Sequence, residues 1–194
     1  MRYCRIIPVL SAVGIAACAF TPHEVAVNAS APVEPSSIGA GRTIYLEVID
    51  DRETEVVGQR GAGMQGADIT ASQVMPTLER ELIAGFTAKG FSVSTTDRNA
   101  DAEVEARLRA SRFFLETGFF AGAKNTSVVV GIEADNGRDD YDRTYRSSSE
   151  DSTMVVPAGS DIDAHLNAAF TEVLRQIMAD DALMEFLATP KGVS

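Results

Sequence analysis

From Glu103 to Ala110 the chain alternates charged and apolar side chains without a break. Glu103, Glu105, Arg107 and Arg109 take one phase; Val104, Ala106, Leu108 and Ala110 take the other. Successive side chains of a strand point to opposite faces, so this run predicts a strand with one wet face and one buried face. A sheet of that kind needs a second layer to cover its apolar side.

Other segments supply the rest of the sheet. Ile44 to Ile49 is rich in strand formers and predicts the first strand, ending at Asp50-Asp51-Arg52. Residues 53–69 carry Gly58, Gly61, Gly63 and Gly66 and read as a long loop. Phe91-Ser-Val-Ser-Thr95 reads as a short strand. Ser127 to Ala134 is dense in valine and predicts another. Asn136-Gly137 then favours a type I′ hairpin. Asp140 to Ser148 returns, with Tyr141, Arg143, Tyr145 and Ser147 alternating against Asp142, Thr144 and Arg146.

Two long segments repeat at helical spacing. Thr70 to Gln73 has the form of a capping box, followed by Met75, Leu78, Leu82 and Phe86, with Gly90 as a stop. Ser160-Asp161 opens a second stripe of Ile162, Leu166, Ala169, Phe170, Val173, Leu174 and Ile177. Asp180-Asp181 begins a short third piece with Leu183, Phe186 and Leu187. The expected fold is α+β: a two-layer sandwich, a mostly antiparallel curved sheet with two amphipathic helices on one face, in the order β-α-β-β-β-β-α.

The N-terminus carries a different message. Arg2 and Arg5 precede an apolar stretch from Ile6 to Cys18 that closes on Ile15-Ala16-Ala17-Cys18. At 13 residues it is shorter than the ~20 that a spanning helix needs. The layout is that of a lipoprotein signal, cut between Ala17 and Cys18, with Cys18 taking the lipid. The expected division is a removed signal at 1–17, a lipidated cysteine with a flexible tether at 18–41, and one α+β domain at 42–194. The tether contains Pro22, Pro32 and Pro35, and semi-extended it could hold the domain several nanometres from the bilayer. Ala19, rather than Asp, after the cysteine leans toward the outer membrane.

Cysteine and charge narrow the functions. Cys4 lies in the removed segment and Cys18 would be acylated, which leaves no thiol for a disulfide, a zinc cluster or a nucleophile. The chain has 17 basic and 28 acidic residues, net −11; loss of Arg2 and Arg5 leaves 15 against 28, net −13. That balance argues against nucleic acid and against adhesion to anionic lipid.

The signal, the strand ending Val48-Ile49-Asp50-Asp51-Arg52, and Val57-Gly58 leading to Gly61-Ala-Gly63 together resemble the YajG family of bacterial lipoproteins. So do Ala88-Lys-Gly90-Phe91 and the tail from Ile177 to Leu187. The resemblance covers about residues 42–188, through order and spacing rather than any one motif. It implies a lipid-anchored envelope protein, in the outer membrane, and brings no catalytic residues with it.

Candidate chemistry is sparse. Gly61-Ala-Gly63-Met-Gln-Gly66 matches G-x-G-x-x-G as a string but stands far from both strand end and helix start, so a loop is expected. Asp50, Asp51 and Arg52 read as an ion pair ordering that loop. His23 sits in the tether, and His165 reads as a surface or boundary histidine. Glu133, Asp135, Asp139, Asp140 and Asp142 read as a solvated acidic turn rather than a calcium loop. Phe113, Phe114, Phe119 and Phe120 are dense for a connection, and they are either core or an exposed interaction patch. No metal, cofactor or catalytic set is expected. The reading is a non-enzymatic binding or accessory module of the periplasm, held by its lipid and meeting an envelope protein. The alternative is a carrier of a lipid or other amphiphile, using the gap between sheet and helices or the Phe113–Phe120 region.

Overall fold

The computed structural model describes residues 21–60, 66–117, 122–153 and 157–190. Eight strands form one sheet: β1 (His23–Glu24), β2 (Thr43–Asp50), β3 (Val56–Arg60), β4 (Ala67–Thr70), β5 (Ser92–Ser94), β6 (Ala102–Thr117), β7 (Gly122–Asp135) and β8 (Asp140–Thr153). Among the described residues three helices accompany it: α1 (Val74–Ala88), α2 (Gly159–Met178) and α3 (Asp181–Ala188).

The strand β6 is the spine. Along one edge it pairs antiparallel with β7 from Glu103↔Asp135 to Thr117↔Gly122, and β8 extends that ladder. Its other edge is shared. β2 runs parallel to it from Ile44↔Ala102 to Asp50↔Leu108, and β3 joins parallel at Gly58↔Phe113. β5 lies parallel to β2, β4 antiparallel to β3, and β1 parallel to β4.

The mixed sheet corrects the expected antiparallel one: four of these seven pairings are parallel. Helix α1 is the cause, because a crossover helix returns the chain to the end where β2 began. The element order is also corrected. Residues 53–69 hold β3 and β4, short strands whose glycines conceal their pairing. Thr70 caps no helix; it ends β4, and its hydroxyl bonds the carboxylate of Glu24. The N-cap of α1 is Gln73, without a side-chain bond. Gly90 does end the helix, with φ +88.

One irregularity sets Phe113 apart from Phe114. The β6–β7 register shifts between Leu108 and Ala110, leaving Arg109 as an extra residue. Such a bulge reverses which phase of the strand faces inward. Val104, Ala106 and Leu108 point to the core before it; Ser111 and Phe113 do so after it. Phe113 is therefore 0% exposed and its neighbour Phe114 is 44% exposed. Phe119 and Phe120 lie outside the described residues, as do Ala17 and Cys18.

The hairpin between β7 and β8 is not type I′. That turn needs positive φ at both central residues, and only Gly137 has it, at +77. Four residues, 136–139, bridge Asp135↔Asp140. The Asn136 carboxamide accepts from the backbone N–H of Arg138 and Asp139 at 3.1 and 3.0 Å.

The segment read as tether is packed over its described part. Val25, Val27 and Ala29 belong to the core, and Ala31 and Val33 pack on it. These alternate, an extended pattern that the surrounding Ser and Pro obscure. The strap crosses both helices: the Asn28 N–H donates to Asn167 of α2 at 2.7 Å, and Thr77 of α1 donates to the Val27 carbonyl at 3.4 Å. Further along, the Ser36, Gly39 and Gly41 N–H groups bond the carbonyls of Ala88, Lys89 and Gly90. Free extension across 18–41 is thus corrected to a strap that is fixed from about His23 onward.

Candidate functional site

Both long helices pack on one face of the sheet, against Leu46, Val104, Ile132 and their neighbours. The opposite face of β6, β7 and β8 has no helix over it among the described residues. Strand register arranges its side chains in rows. Glu103, Asp135 and Asp140 form one row, and Glu105, Glu133 and Asp142 the next. Arg107, Gly131 and Thr144 follow, then Ala110, Val129 and Arg146, then Arg112, Ser127 and Ser148. Phe114, Asn125 and Glu150 form the row beyond them. The face therefore runs from acidic, through an arginine belt, to a row that holds an exposed aromatic ring and one carboxylate.

Like charges directly opposite each other destabilise a sheet. The belt relieves this at its acidic border. Arg107 pairs with Glu105 and, at 3.4 Å, with Glu133; Glu105 in turn holds the Arg107 guanidinium more firmly protonated. Arg109 lies flat across β7, donating to Glu133 at 3.0 Å and to the Thr144 hydroxyl at 2.9 Å. Arg112 and Arg146 are exposed, and neither guanidinium meets a carboxylate among the described residues. These two cations are free to meet an incoming acidic group. The alternation in the sequence puts Arg107 and Arg109 on a wet face; Arg112 reaches that face only through the bulge.

Asp50 and Arg52 form the expected ion pair. Arg52 Nε and Nη2 donate to the two Asp50 oxygens at 2.8 and 2.7 Å. These Arg52 hydrogen bonds hold the Asp50 carboxyl below its ordinary pKa. The Arg52 side chain is only 4% exposed.

A buried charged centre went unnoticed in the sequence. Asp180, just ahead of α3, accepts from Tyr145 at 2.6 Å, Tyr141 at 2.8 Å and Arg143 at 2.6 Å. Its other oxygen caps α3 by accepting from the N–H groups of Ala182 and Leu183. Burial would raise its pKa, but the bonds from Tyr145, Tyr141 and the Leu183 N–H, with the charge of Arg143, outweigh that and lower it. Burial pushes the Tyr145 phenol well up. The available signal was the phase of Tyr141, Arg143 and Tyr145 on β8.

Both histidines are tied down. His23 Nε2 lies 2.8 Å from Asp163 of α2, which corrects its placement in a flexible tether. His165 is a boundary residue: its Nε2 accepts from Lys124 Nζ at 2.9 Å, its Nδ1 is 3.5 Å from Asp151, and Phe113 packs beside it. Gly66 leads into β4, not a helix, so its glycine string lies between two antiparallel strands; residues 61–65 fall outside the described residues. Among the described residues no helix is long and apolar enough to cross a membrane, and no group of His, Cys, Asp and Glu side chains is disposed to hold a metal.

Residues 29–188 match the model of a family described as uncharacterized lipoprotein. No curated protein matches the sequence. Among solved structures, a Xanthomonas campestris protein of the DUF330 family is similar, with TM-score 0.54 and 11% identity over 84% of this chain and 95% of that one. A putative neuraminyllactose-binding hemagglutinin homolog from Helicobacter pylori is similar at TM-score 0.45 and 11% identity, over 82% of this chain and 95% of that one. The first likeness shows a shared fold and says nothing of activity.

Proposed function

Because the chain belongs to this family of uncharacterised lipoproteins, we propose that it is a lipid-anchored envelope module that binds a protein partner through the open face of β6–β8. The module is YajG-like and non-enzymatic. Its lipid, palmitate among the acyl chains, sits on Cys18 after cleavage behind Ala17, and holds the domain on the periplasmic side of the outer membrane. The basic start, the apolar stretch and Ile15-Ala-Ala-Cys18 support the anchor, and Ala19 supports the outer membrane.

The observation that carries the binding role is the sorted face itself. Arg112 and Arg146 meet no carboxylate among the described residues of a chain of net −11, and Phe114 is an exposed ring on the same surface. Arginine and aromatic side chains are the residues most enriched in interface centres. The amphiphile-carrier reading draws less support: the described part of the gap between sheet and helices is filled by Leu46, Phe86, Ile132, Leu166 and Val173.

A photo-crosslinking residue placed at Phe114 or Ser148, in cells making the full chain, should give one discrete protein adduct. The same residue at Glu81 or Arg175 on the helical side should give none. Equal adducts from both sides, or lipid adducts alone from the open face, would overturn the reading.

A further inference from the structure

The shared edge of β6 contains a gap. β2 leaves β6 after Leu108, where the Asp51 N–H makes the last bond to the Leu108 carbonyl at 3.0 Å. β3 joins only at Phe113. Residues 109–112 therefore have no strand partner on that side, and the β2–β3 loop arches over them. Beneath the arch is a cleft of about 280 Å³ whose charged lining comprises Asp51, Arg52, Glu53, Arg109 and Arg112. It lies at the carboxyl end of a parallel strand, where neighbouring strands part, a placement that favours ligand sites in open sheets.

One residue lining this cleft carries an unpartnered polar atom. The Arg52 side chain is almost wholly buried, and its Nη1 makes no hydrogen bond among the described residues, although Nε and Nη2 are spent on Asp50. A buried donor left unmade costs about 1–3 kcal/mol, more when charged, so such atoms mark places where a ligand completes the structure. Arg112, at the mouth, has no partner among the described residues either.

We propose that this notch is a binding site for a phosphate-class oxyanion. Arg52 Nη1 donates from the buried wall and Arg112 from the open face. Donors arriving from two sides suit a tetrahedral anion better than a planar carboxylate, which one guanidinium fork satisfies. Asp51 and Glu53 at the rim repel an anion, so the site selects by geometry and holds its ligand weakly. The anion is either free phosphate or a phosphate ester on a headgroup.

Inorganic phosphate titrated into isotope-labelled protein should shift the amides of residues 51–54 and 109–112, saturating in the low millimolar range typical of a small, unassisted site. Arg112→Gln, at a side chain that makes no hydrogen bond or ion pair among the described residues, should weaken binding at least fivefold with unchanged melting temperature. Asp51→Asn should strengthen it two- to fivefold. Phosphatidylcholine vesicles carrying phosphatidic acid test the headgroup source: sedimentation with them that is lost in Arg112→Gln, without saturable binding of free phosphate, assigns the site to a lipid ester. The proposal fails if neither probe binds, if shifts scatter over all arginines, or if Arg112→Gln and Asp51→Asn leave affinity unchanged.

Discussion

The guanidinium of Arg109 rests on the backbone of Gly131. A β-carbon at Gly131 would stand 2.6 Å from Arg109 Cζ, closer than real contacts allow. Arg109 crosses β7 to reach Thr144 only because that position is bare. Gly131→Val should therefore expel the arginine and cost about 1–3 kcal/mol, as overpacking does. Urea unfolding measures the cost; a neutral result would mean that Arg109 has another resting place.

Phe113 and Phe114 are adjacent in sequence and opposite in role. Phe113→Ala should cost about 3–5 kcal/mol by opening the core, while Phe114→Ala should stay within about 0.5 kcal/mol. Denaturant midpoints of the two variants test this directly. Similar losses at both sites would show that the reversal of phase at Arg109 is wrong.

Asp180 joins β8 to α3 through three donors. Asp180→Ala removes the helix cap and leaves the buried Tyr145 hydroxyl with only the Tyr141 hydroxyl, 3.2 Å away, among the described residues, for a combined loss of about 2–4 kcal/mol. Arg143 is mostly exposed, so its share is small. Thermal unfolding of Asp180→Ala beside Arg143→Gln should show a large drop for the first and a minor one for the second.

Acid should act through the same residue. The Asp180 pKa is lowered by folding, so its contribution is complete above the unfolded value of ~3.9 and fades as pH falls through the folded value. Glu172, held at about 2 by Arg175 and Gln176, behaves alike at the surface. Wild-type stability should fall between about pH 4 and pH 2, and Asp180→Asn should flatten part of that slope. A slope unchanged in Asp180→Asn would place the acid sensitivity elsewhere.

The strap is open to a truncation series. Removing residues through 20 should leave the melting temperature unchanged, whereas removing residues through 33 strips Val25, Val27 and Ala29 from the core. Burial of two valines at about 1.5–3 kcal/mol each sets the expected loss at several kcal/mol. Equal stability of the two products would return the segment to the status of a loose tether.

Elements whose signal is local were legible. The apolar stripes of α1 and α2 span four and five turns, and tertiary contacts reinforce them. The alternation in β6 named the correct wet face as far as Arg109. Beyond it, one inserted residue reversed the pattern, and no property of Arg109 itself announces a bulge. β3 and β4 are five and four residues long and owe their pairing to distant partners. The strap alternates only over small residues, so its fit between two helices is invisible until both helices are placed. The arginine belt needed three strands in register, and Asp180 needed β8 against α3; both are products of long-range assembly.

Because the strap is sewn to the helices from His23 onward, a lipid on Cys18 would leave a very short leash. Five residues reach at most ~18 Å even when drawn straight. The protein would ride close above the bilayer, with the end that carries β1 and the start of α2 turned toward the lipid. So confined, it would meet neighbours in the same membrane at a high effective concentration, and even a modest intrinsic affinity would suffice to keep a complex together.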